Sequence, residues 1–451
     1  MKRISFFLTF FSCFLLQATM PEEHGLRALS DAFTVEPTTL LTPTRFDISS
    51  KYIYAHHLIK RVQCSWAEQL YYDHIHAINN FYESSPIKKG KADFITSFHA
   101  TLFSIQKNGF SESFIPVDEN LNPRDGSHRA ASCITLREKP ICKIYNYEPA
   151  KSYITANYLQ NRGMQKKYLD ASALAYATLK KNCYIALVMP AAVDKNNEIE
   201  TVLNQHCTIV YKKNILLNKN GAFNLTKQLY KNEPWLGSWN NNFSGVWHKA
   251  LCCFPQDHRK NNPIRVFLIE ADNIELVKTC KQKIRNLFNL ENHSIHINDT
   301  HEQTVVIAQS LFVENSIHFM NYSQQKNFSR FRPILHLYKT WLQKQNLPVE
   351  NFCIDSGAIL SAYGLRDCGD LDYLHHGYDH IKPPHCLIES HNNSMGNHKK
   401  TKDEIIFNPE NHFWYNGVKF AALHIIKDLK QNGGGIQNKN DVEMIKTILN
   451  Q

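Results

Sequence analysis

Two carboxylates separated by one residue are the first feature of this chain that could do chemistry. Asp370 and Asp372 lie in the segment Asp370-Leu371-Asp372-Tyr373-Leu374, which has the pattern of a strand. Side chains alternate across a strand, so residues two apart point to the same face of a sheet. Converging carboxylates are the ligands that Mg²⁺ uses when it holds a triphosphate. The spacing predicts that Asp370 and Asp372 are catalytic residues and metal ligands.

A Ser-Gly turn precedes these carboxylates. Ser356 and Gly357 lie between a predicted strand, 352–355, and a predicted helix, 359–363. The backbone N–H groups of such a turn can cradle a phosphate. Arg366 follows the helix and carries a fork of donors suited to a phosphate or a sugar acid. Ser356, Gly357 and Arg366 are therefore predicted binding residues.

A third carboxylate is not assigned by the pattern. Asp403 and Glu404, just before the apolar run Ile405-Ile406-Phe407, are the nearest candidates. Asp441 either closes the site from a helix or is a surface charge, and we prefer the surface charge. An intact catalytic site and a degenerate site that only binds its ligand remain equally open.

A second constellation lies at the segment Asp125-Gly126-Ser127-His128-Arg129-Ala130-Ala131. It follows a strand and a turn and begins a helix, whose N-terminus presents free N–H groups and a positive dipole end. Gly126 allows close approach of the backbone, Arg129 suits phosphate oxygens, and His128 can share a proton near neutral pH. We predict an anion site here. The alternative is a capped helix in which Arg129 pairs with a local carboxylate.

Both constellations resemble known families. DGSHRAA and the helix and strand before it, about residues 90–147, resemble the ParB/sulfiredoxin-like fold. The segment CIDSGAILSAYGLRDCGDLDYL, with NPENHFWYNGVKF and KNDVEMI, resembles nucleotidyltransferase-like domains found beside polysaccharide biosynthesis proteins, over about 331–451. The turn here is Ser-Gly, whereas that superfamily has Gly-Ser. The resemblances imply phosphate contacts from Gly126, His128 and Arg129, and Mg²⁺-nucleotide chemistry at Asp370 and Asp372.

The elements that must position these residues indicate a multidomain α/β (α+β) protein. Residues 1–18 have a basic start and then an apolar run, which is typical of a signal peptide, and 19–50 read as a linker. Residues 51–150 form the helical and ParB/sulfiredoxin-like unit. Residues 151–325 alternate strands and helices, which indicates an α/β layer. Residues 326–451 form the nucleotidyltransferase-like mixed sheet with helices.

Three weaker signals stand apart. A loop from Glu233 to Gly237 and then Gly245 is rich in aromatic residues and glycine, and aromatic packing is favoured over a ligand loop. The histidines and carboxylates of the segment His296–Glu302 could hold a metal ion. The start of an N-capped helix is the better interpretation of these residues. The His-rich segment 375–380 reads as a solvated loop.

Composition narrows the function classes. The chain has 451 residues, 43% of them hydrophobic and 20% charged, which is the composition of a globular protein. A net charge of +10 is spread along the chain, so nucleic acid is a poor partner and phosphate-bearing small ligands fit better. Twelve cysteines show no zinc spacing and favour buried free thiols. The signal-like segment predicts export or membrane association, with a cytoplasmic protein as the alternative.

These observations predict a nucleotidyl- or phosphoryl-transferase that uses a nucleotide triphosphate with Mg²⁺ and a sugar or glycan acceptor. One alternative is a non-catalytic protein that binds a nucleotide or a glycan at degenerate sites. A second is a ParB-like nuclease or DNA-binding protein, against which the diffuse charge argues.

Overall fold

The structure is a computed structural model that describes residues 25–84, 87–111, 113–148, 153–255 and 262–451. Helices account for 52% of it and strands for 15%. The strands form several small mixed sheets, so the predicted mixed α/β (α+β) class is confirmed. The signal-like segment 1–18 lies outside the described residues. In the part that is described, no helix is long and apolar enough to cross a membrane.

The N-terminal part combines helices with two small sheets. Its elements are β1 (Phe33–Thr34), α1 (Asp47–Lys60), α2 (Trp66–Asn79), β2 (Tyr82–Ser84), β3 (Ile87–Lys89), α3 (Lys91–Asn108), β4 (Ile115–Val117), α4 (Ser127–Leu136) and β5 (Ile141–Ile144). One sheet has the order β1-β5-β4, with β4 and β5 parallel, and β2 and β3 form a hairpin. The predicted strand, turn and helix around DGSHRAA are present as β4 and α4.

Most residues of the segment 37–50 are buried, so the prediction of a linker is wrong for this part of the chain. Leu40, Leu41 and Phe46 are fully buried, and β1 just before them pairs with β5. A two-residue strand, a 3-10 helix, Pro37–Leu40, and the first residues of α1 are each too short to show hydrophobic periodicity before residue 50.

The middle part is built on a four-stranded sheet. Its elements are α5 (Ala156–Asn161), α6 (Lys166–Leu179), β6 (Cys183–Val188), α7 (Asn196–His206), β7 (Thr208–Ile215), α8 (Lys219–Leu229), α9 (Ser244–Cys253), β8 (Ile264–Glu270), α10 (Ile274–Phe288), β9 (Ile295–Ile297), α11 (His301–Leu311) and α12 (Glu314–Tyr322). The sheet order is β7-β8-β6-β9, and every pair of neighbours is antiparallel. Helices and strands alternate as predicted.

The C-terminal part contains the five-stranded sheet that carries the Asp-x-Asp segment. Its elements are α13 (Phe331–Lys344), β10 (Phe352–Asp355), α14 (Ala358–Ala362), β11 (Leu371–His375), β12 (Ile388–Ser390), α15 (Lys402–Phe407), β13 (His412–Tyr415), β14 (Val418–Ala421), α16 (Leu423–Gly433) and α17 (Ile436–Leu449). The order is β12-β11-β10-β14-β13, with β10 antiparallel to β11 and parallel to β14.

Two large hydrophobic cores hold these parts together. One runs from Leu40 to Met320 and joins the N-terminal helices to one face of the middle sheet, where Phe46 stacks on Tyr176 and Tyr211. The other runs from Phe319 to Ile448 and fills the C-terminal part. Every described cysteine is free, and the prediction of buried thiols is confirmed for eight of the eleven, whereas Cys64 and Cys252 are half-buried and Cys386 is exposed.

Candidate functional site: a carboxylate and histidine cluster

Asp370 and Asp372 lie together at the start of β11. Asp370 is exposed and immediately precedes the strand, whereas Asp372 is buried. Partial burial, followed by the nearby Asp372 carboxylate, raises the pKa of Asp370. The two predicted residues therefore interact electrostatically, as their spacing implied.

A third carboxylate completes the cluster, and it is Asp355 at the end of β10. The strand register places Asp355 directly opposite Asp372, so both side chains project from the same face of the sheet. Asp355 is fully buried. Asp355 was not singled out in the sequence, although a charged residue inside the apolar strand Phe352–Asp355, immediately before the Ser-Gly turn, is a signal that could have found it.

Two histidines from the loop after β12 contact these carboxylates. His391 Nε2 lies 3.1 Å from Asp372 Oδ1, and His391 Nδ1 lies 3.6 Å from Asp355 Oδ2. His398 Nε2 lies 3.0 Å from the same Asp355 Oδ2. His391 thus bridges the two carboxylates. Because this loop shows no periodicity, sequence reasoning could not place its histidines.

The bridge has strong electrostatic consequences. Contacts with Asp355 and then Asp372 raise the pKa of His391 to about 10, against the opposing effect of burial. Burial would raise the pKa of Asp355, but the contacts with His391 and His398 outweigh it and hold that pKa at about 2. At neutral pH His391 is therefore an imidazolium beside the ionised Asp355 carboxylate.

One carboxylate oxygen of the cluster has no partner. Asp355 Oδ1 is buried and accepts no hydrogen bond from any described residue. No group of three or more His, Cys, Asp or Glu residues in the described ranges has an arrangement that would hold a metal ion as it stands. The chemistry of the donors still suits Mg²⁺, since an orphaned carboxylate oxygen lies beside two further carboxylates.

The Ser-Gly turn and Arg366 lie beside this cluster. Ser356 follows Asp355 and has a left-handed backbone with φ of 62°. A Cβ built on Gly357 would lie 3.5 Å from Arg366 Nη2, which shows how closely the guanidinium approaches the turn. Arg366 donates from Nε and Nη2 to Asp441 at 2.7 and 2.6 Å, and from Nη1 to the Asp367 carbonyl.

The other candidates for a third carboxylate do not belong to the cluster. Asp403 Oδ1 lies 2.9 Å from His376 Nδ1. His376 follows the last residue of β11, so it lies about 13 Å from Asp372 along the strand direction. Glu404 reaches back to the Thr401 N–H and completes a capping box for α15. Asp441 is fully buried against Arg366, so the preferred assignment as a surface charge is wrong. Asp441 is buried because α17 packs against the segment that carries Arg366, and a local sequence pattern does not predict such packing.

The structure places the DGSHRAA residues in a well-bonded helix start. Gly126 has φ of 78° and caps α4. His128 Nε2 lies 2.9 Å from the Tyr71 hydroxyl, and its ring centroid lies 4.5 Å from that of Phe98. Burial, followed by the charge of Lys51, holds the pKa of His128 well below its usual range. His128 is thus a neutral side chain packed against aromatic rings.

Arg129 shows the local pairing that was the alternative for this segment. Its Nη2 donates to Asp125 at 3.2 Å, and its Nη1 donates to the Phe114 carbonyl at 2.8 Å. Arg129 and His128 point to different partners, so the structure does not bring them to one point. An anion site here stays a prediction, and these contacts favour the alternative.

The remaining histidine segments have structural partners. Thr300 caps α11 and forms a capping box with Gln303, which confirms the preference for an N-capped helix. The prediction of a solvated loop at 375–380 is wrong for its first residue, because His375 ends β11, is buried and contacts Asn392, while His376 contacts Asp403.

Comparisons with models of protein families, with curated proteins and with solved structures returned no match to this chain.

Proposed function

We propose that the C-terminal part transfers a nucleotidyl or phosphoryl group from a nucleotide triphosphate with Mg²⁺ to a hydroxyl of a sugar or glycan acceptor. The observation that carries the proposal is the strand register that puts Asp355 opposite Asp372, beside Asp370 and next to the Ser-Gly turn. A group of carboxylates that can hold Mg²⁺ beside a phosphate-binding turn is one arrangement that supports transfer chemistry on a triphosphate.

The residues have distinct roles in this proposal. Asp355, Asp370 and Asp372 would hold Mg²⁺, which when bound neutralises phosphate charge. Ser356 and Gly357 would bring backbone N–H groups to the phosphates. Asp370 is exposed, so the hydroxyl proton of the acceptor can pass to solvent water at this open side of the cluster. The acceptor oxygen then bonds to phosphorus as the bond from phosphorus to the leaving phosphate oxygen breaks.

Arg366 would contact the phosphates beside Gly357. An arginine has five N–H donors, and the contacts with Asp441 and Asp367 use three of them. Two donors are therefore left without an acceptor among the described residues, on nitrogens that lie next to the turn. Asp441 holds the guanidinium in place from behind, so Asp441 is a positioning residue.

Calorimetry with a panel of nucleotide triphosphates, with and without MgCl₂, tests the proposal. We expect Asp370→Asn/Asp372→Asn to weaken Mg²⁺-dependent binding at least tenfold, because two of the three carboxylates lose their charge. Asp272→Asn, at an exposed aspartate outside the cluster, is the matched control and should bind as the unmodified protein does. Unchanged Mg²⁺-dependent binding in the double variant, or no nucleotide binding by the unmodified protein, overturns the proposal.

A binding-only protein is the second candidate, and the His391 bridge favours it. The imidazolium already supplies a positive charge between Asp355 and Asp372, so part of the negative charge of the cluster is neutralised without a metal. This candidate predicts that nucleotides or glycans bind equally well in EDTA and that no product forms. Mg²⁺-dependent release of pyrophosphate or nucleoside diphosphate in the presence of a glycan acceptor would exclude it.

A further inference from the structure

A cavity of about 350 Å³ lies between the middle and C-terminal parts, and nothing described above uses it. Residues of α8, of the loop between α8 and α9, and of α13 line it, and the end of α14 closes one side. Gly357 precedes α14, and Ser361 and Ala362 at its end touch the cavity. The cavity is thus separated from the turn by the length of α14, roughly 6 Å along the helix axis.

Cationic side chains dominate the charged residues of the lining. Lys227, Lys231, Lys326, Arg332 and Lys339 contribute positive charge, and Glu233 is the one carboxylate among the lining residues. Within the described residues, none of these five cations forms a salt bridge with a carboxylate. By contrast, buried Lys213 pairs with Asp170 at 2.8 Å and with Glu314 at 3.0 Å. Unpaired cations gathered in a concave site create a field that attracts anions.

The cations lie in two neighbouring pairs. Burial, and next the charge of Arg332, lowers the pKa of Lys227 to about 8. Burial, and next the charge of Lys231, lowers the pKa of Lys339. Lys227 and Arg332 both lie against the Trp239 ring, which shows directly that the cations of the first pair are neighbours. Five cations along one cavity suit a ligand that carries at least two anionic groups.

Aromatic rings and an amide hold the first pair in place. Lys227 Nζ lies 4.3 Å from the ring centroid of Trp239 and 4.0 Å from that of Phe243. The Arg332 guanidinium lies 4.8 Å from the Trp239 ring. Gln325 Oε1 accepts from Lys227 Nζ at 3.1 Å, which leaves two ammonium donors without an acceptor in the part of the chain that the structure describes. The loop singled out in the sequence for its aromatic residues therefore orients cations at this cavity.

We infer that this cavity binds a small molecule that carries two or more linked phosphate groups. Compact ammonium groups and an arginine fork are the donors that phosphate oxygens prefer, and the volume suits a small molecule. The inference does not depend on the carboxylate cluster or on its proposed activity. Linked phosphate groups occur both in inorganic polyphosphates and in nucleotides, and the calorimetry described next distinguishes these two classes of ligand.

Calorimetry in EDTA tests the inference, because without divalent cations the carboxylate cluster cannot contribute a metal-phosphate contact. Tripolyphosphate, pyrophosphate, orthophosphate, citrate and a nucleotide triphosphate are titrated into the full chain. We expect tripolyphosphate to bind at least tenfold more tightly than orthophosphate and citrate. A nucleotide triphosphate that binds more tightly than tripolyphosphate identifies a nucleotide as the ligand, and equal or weaker binding identifies the phosphate chain alone.

Variants locate the binding. Lys231→Ala/Lys326→Ala removes two exposed cations and should weaken tripolyphosphate binding at least tenfold. Lys227→Met replaces the half-buried Lys227 with an uncharged side chain of similar volume and should weaken tripolyphosphate binding by a similar factor. Lys107→Ala, at an exposed lysine of α3, is the matched control and should leave binding unchanged. Circular dichroism and the thermal midpoint show whether each variant is folded.

Two results would overturn the inference. One is the absence of tripolyphosphate binding by the unmodified protein, or its equal affinity for citrate. The other is unchanged affinity in the folded Lys231→Ala/Lys326→Ala variant. Asp370→Asn/Asp372→Asn should retain tripolyphosphate binding in EDTA, so a failure of the proposed activity and a failure of this inference give different results.

Discussion

At the scale of single residues, the candidate site depends on buried charges with defined partners. Asp355 is ionised inside the sheet because His391 and His398 contact it. Asp441 is equally buried and is paired with Arg366, while Lys430 lies 3.5 Å away. A buried carboxylate without a partner is strongly destabilising, so these pairs determine whether the turn and the carboxylates keep their geometry.

Replacement of Arg366 tests this requirement. We expect Arg366→Met to lower the free energy of unfolding by about 3 kcal/mol, because it removes both Arg366 hydrogen bonds to the buried Asp441 carboxylate and leaves only the longer 3.5 Å contact with Lys430. Arg366→Met/Asp441→Leu should recover most of the loss, since both charges are then absent. Urea unfolding of the two variants and the unmodified protein gives the measurement. A single variant as stable as the unmodified protein would contradict the assigned pairing.

At the scale of elements, a close backbone contact connects α9 to the loop that lines the cationic cavity. A Cβ built on Gly245, in the first turn of α9, would lie 2.0 Å from the Trp235 carbonyl oxygen. Backbone atoms cannot yield as a flexible side chain can. The absence of a side chain at Gly245 therefore allows the loop to pack against the helix, with Leu236 buried beneath it.

Substitution of Gly245 should displace this loop. Gly245→Ala is expected to destabilise the protein by about 1–3 kcal/mol through overpacking. It should also weaken tripolyphosphate binding, because Trp239 and Phe243 would no longer orient Lys227. Gly396→Ala is the control, since a Cβ at Gly396 would meet no atom within 4 Å. Equal thermal midpoints for both variants would show that the loop does not pack as described.

At the scale of the whole molecule, the end of α1 docks onto the C-terminal part. His376 contacts the Lys60 carbonyl with Nε2 and Asp403 with Nδ1, both at 2.9 Å. Asp403 also accepts from the Gln63 N–H at 2.7 Å, and Lys60 Nζ donates to Asn351 at 2.8 Å. These contacts join segments that are hundreds of residues apart in sequence.

The His376 and Asp403 pair makes this junction sensitive to pH. The hydrogen bond to Asp403 raises the pKa of His376 above 6.5, against burial and the charge of Lys402. A raised pKa in the folded state gives stability that is complete below about pH 6.5 and is lost as the pH rises through the raised value. Burial would raise the pKa of Asp403, but the contacts with His376 and the Gln63 N–H outweigh it and lower that pKa. The stability that Asp403 contributes is therefore lost as the pH falls through its lowered pKa.

Thermal unfolding at two pH values measures this effect. The difference in midpoint between the unmodified protein and His376→Asn should be larger at pH 5.5 than at pH 8.5. His380→Asn, at an exposed histidine of the same loop, should show a small difference at both values. A difference for His376→Asn that does not change with pH would mean that His376 is neutral in the folded protein.

Much of the architecture could be predicted from the sequence by itself. The helices α3 and α10, the strands β8 and β10, the C-terminal hairpin and the mixed class all follow from local periodicity and from turn residues such as Gly109. The proximity of Asp370 and Asp372 followed from strand geometry alone. Local patterns report these features because each is determined by residues that are neighbours in sequence.

Only the tertiary structure decided the composition of the sites. Asp355 joined Asp372 because two strands pair in one register, and His391 reached both from a loop without periodicity. Asp441 proved buried because α17 packs against the Arg366 side chain. The cationic cavity gathers residues from α8, its following loop and α13. Contacts between distant segments depend on register and packing, and neither property is encoded in a local pattern.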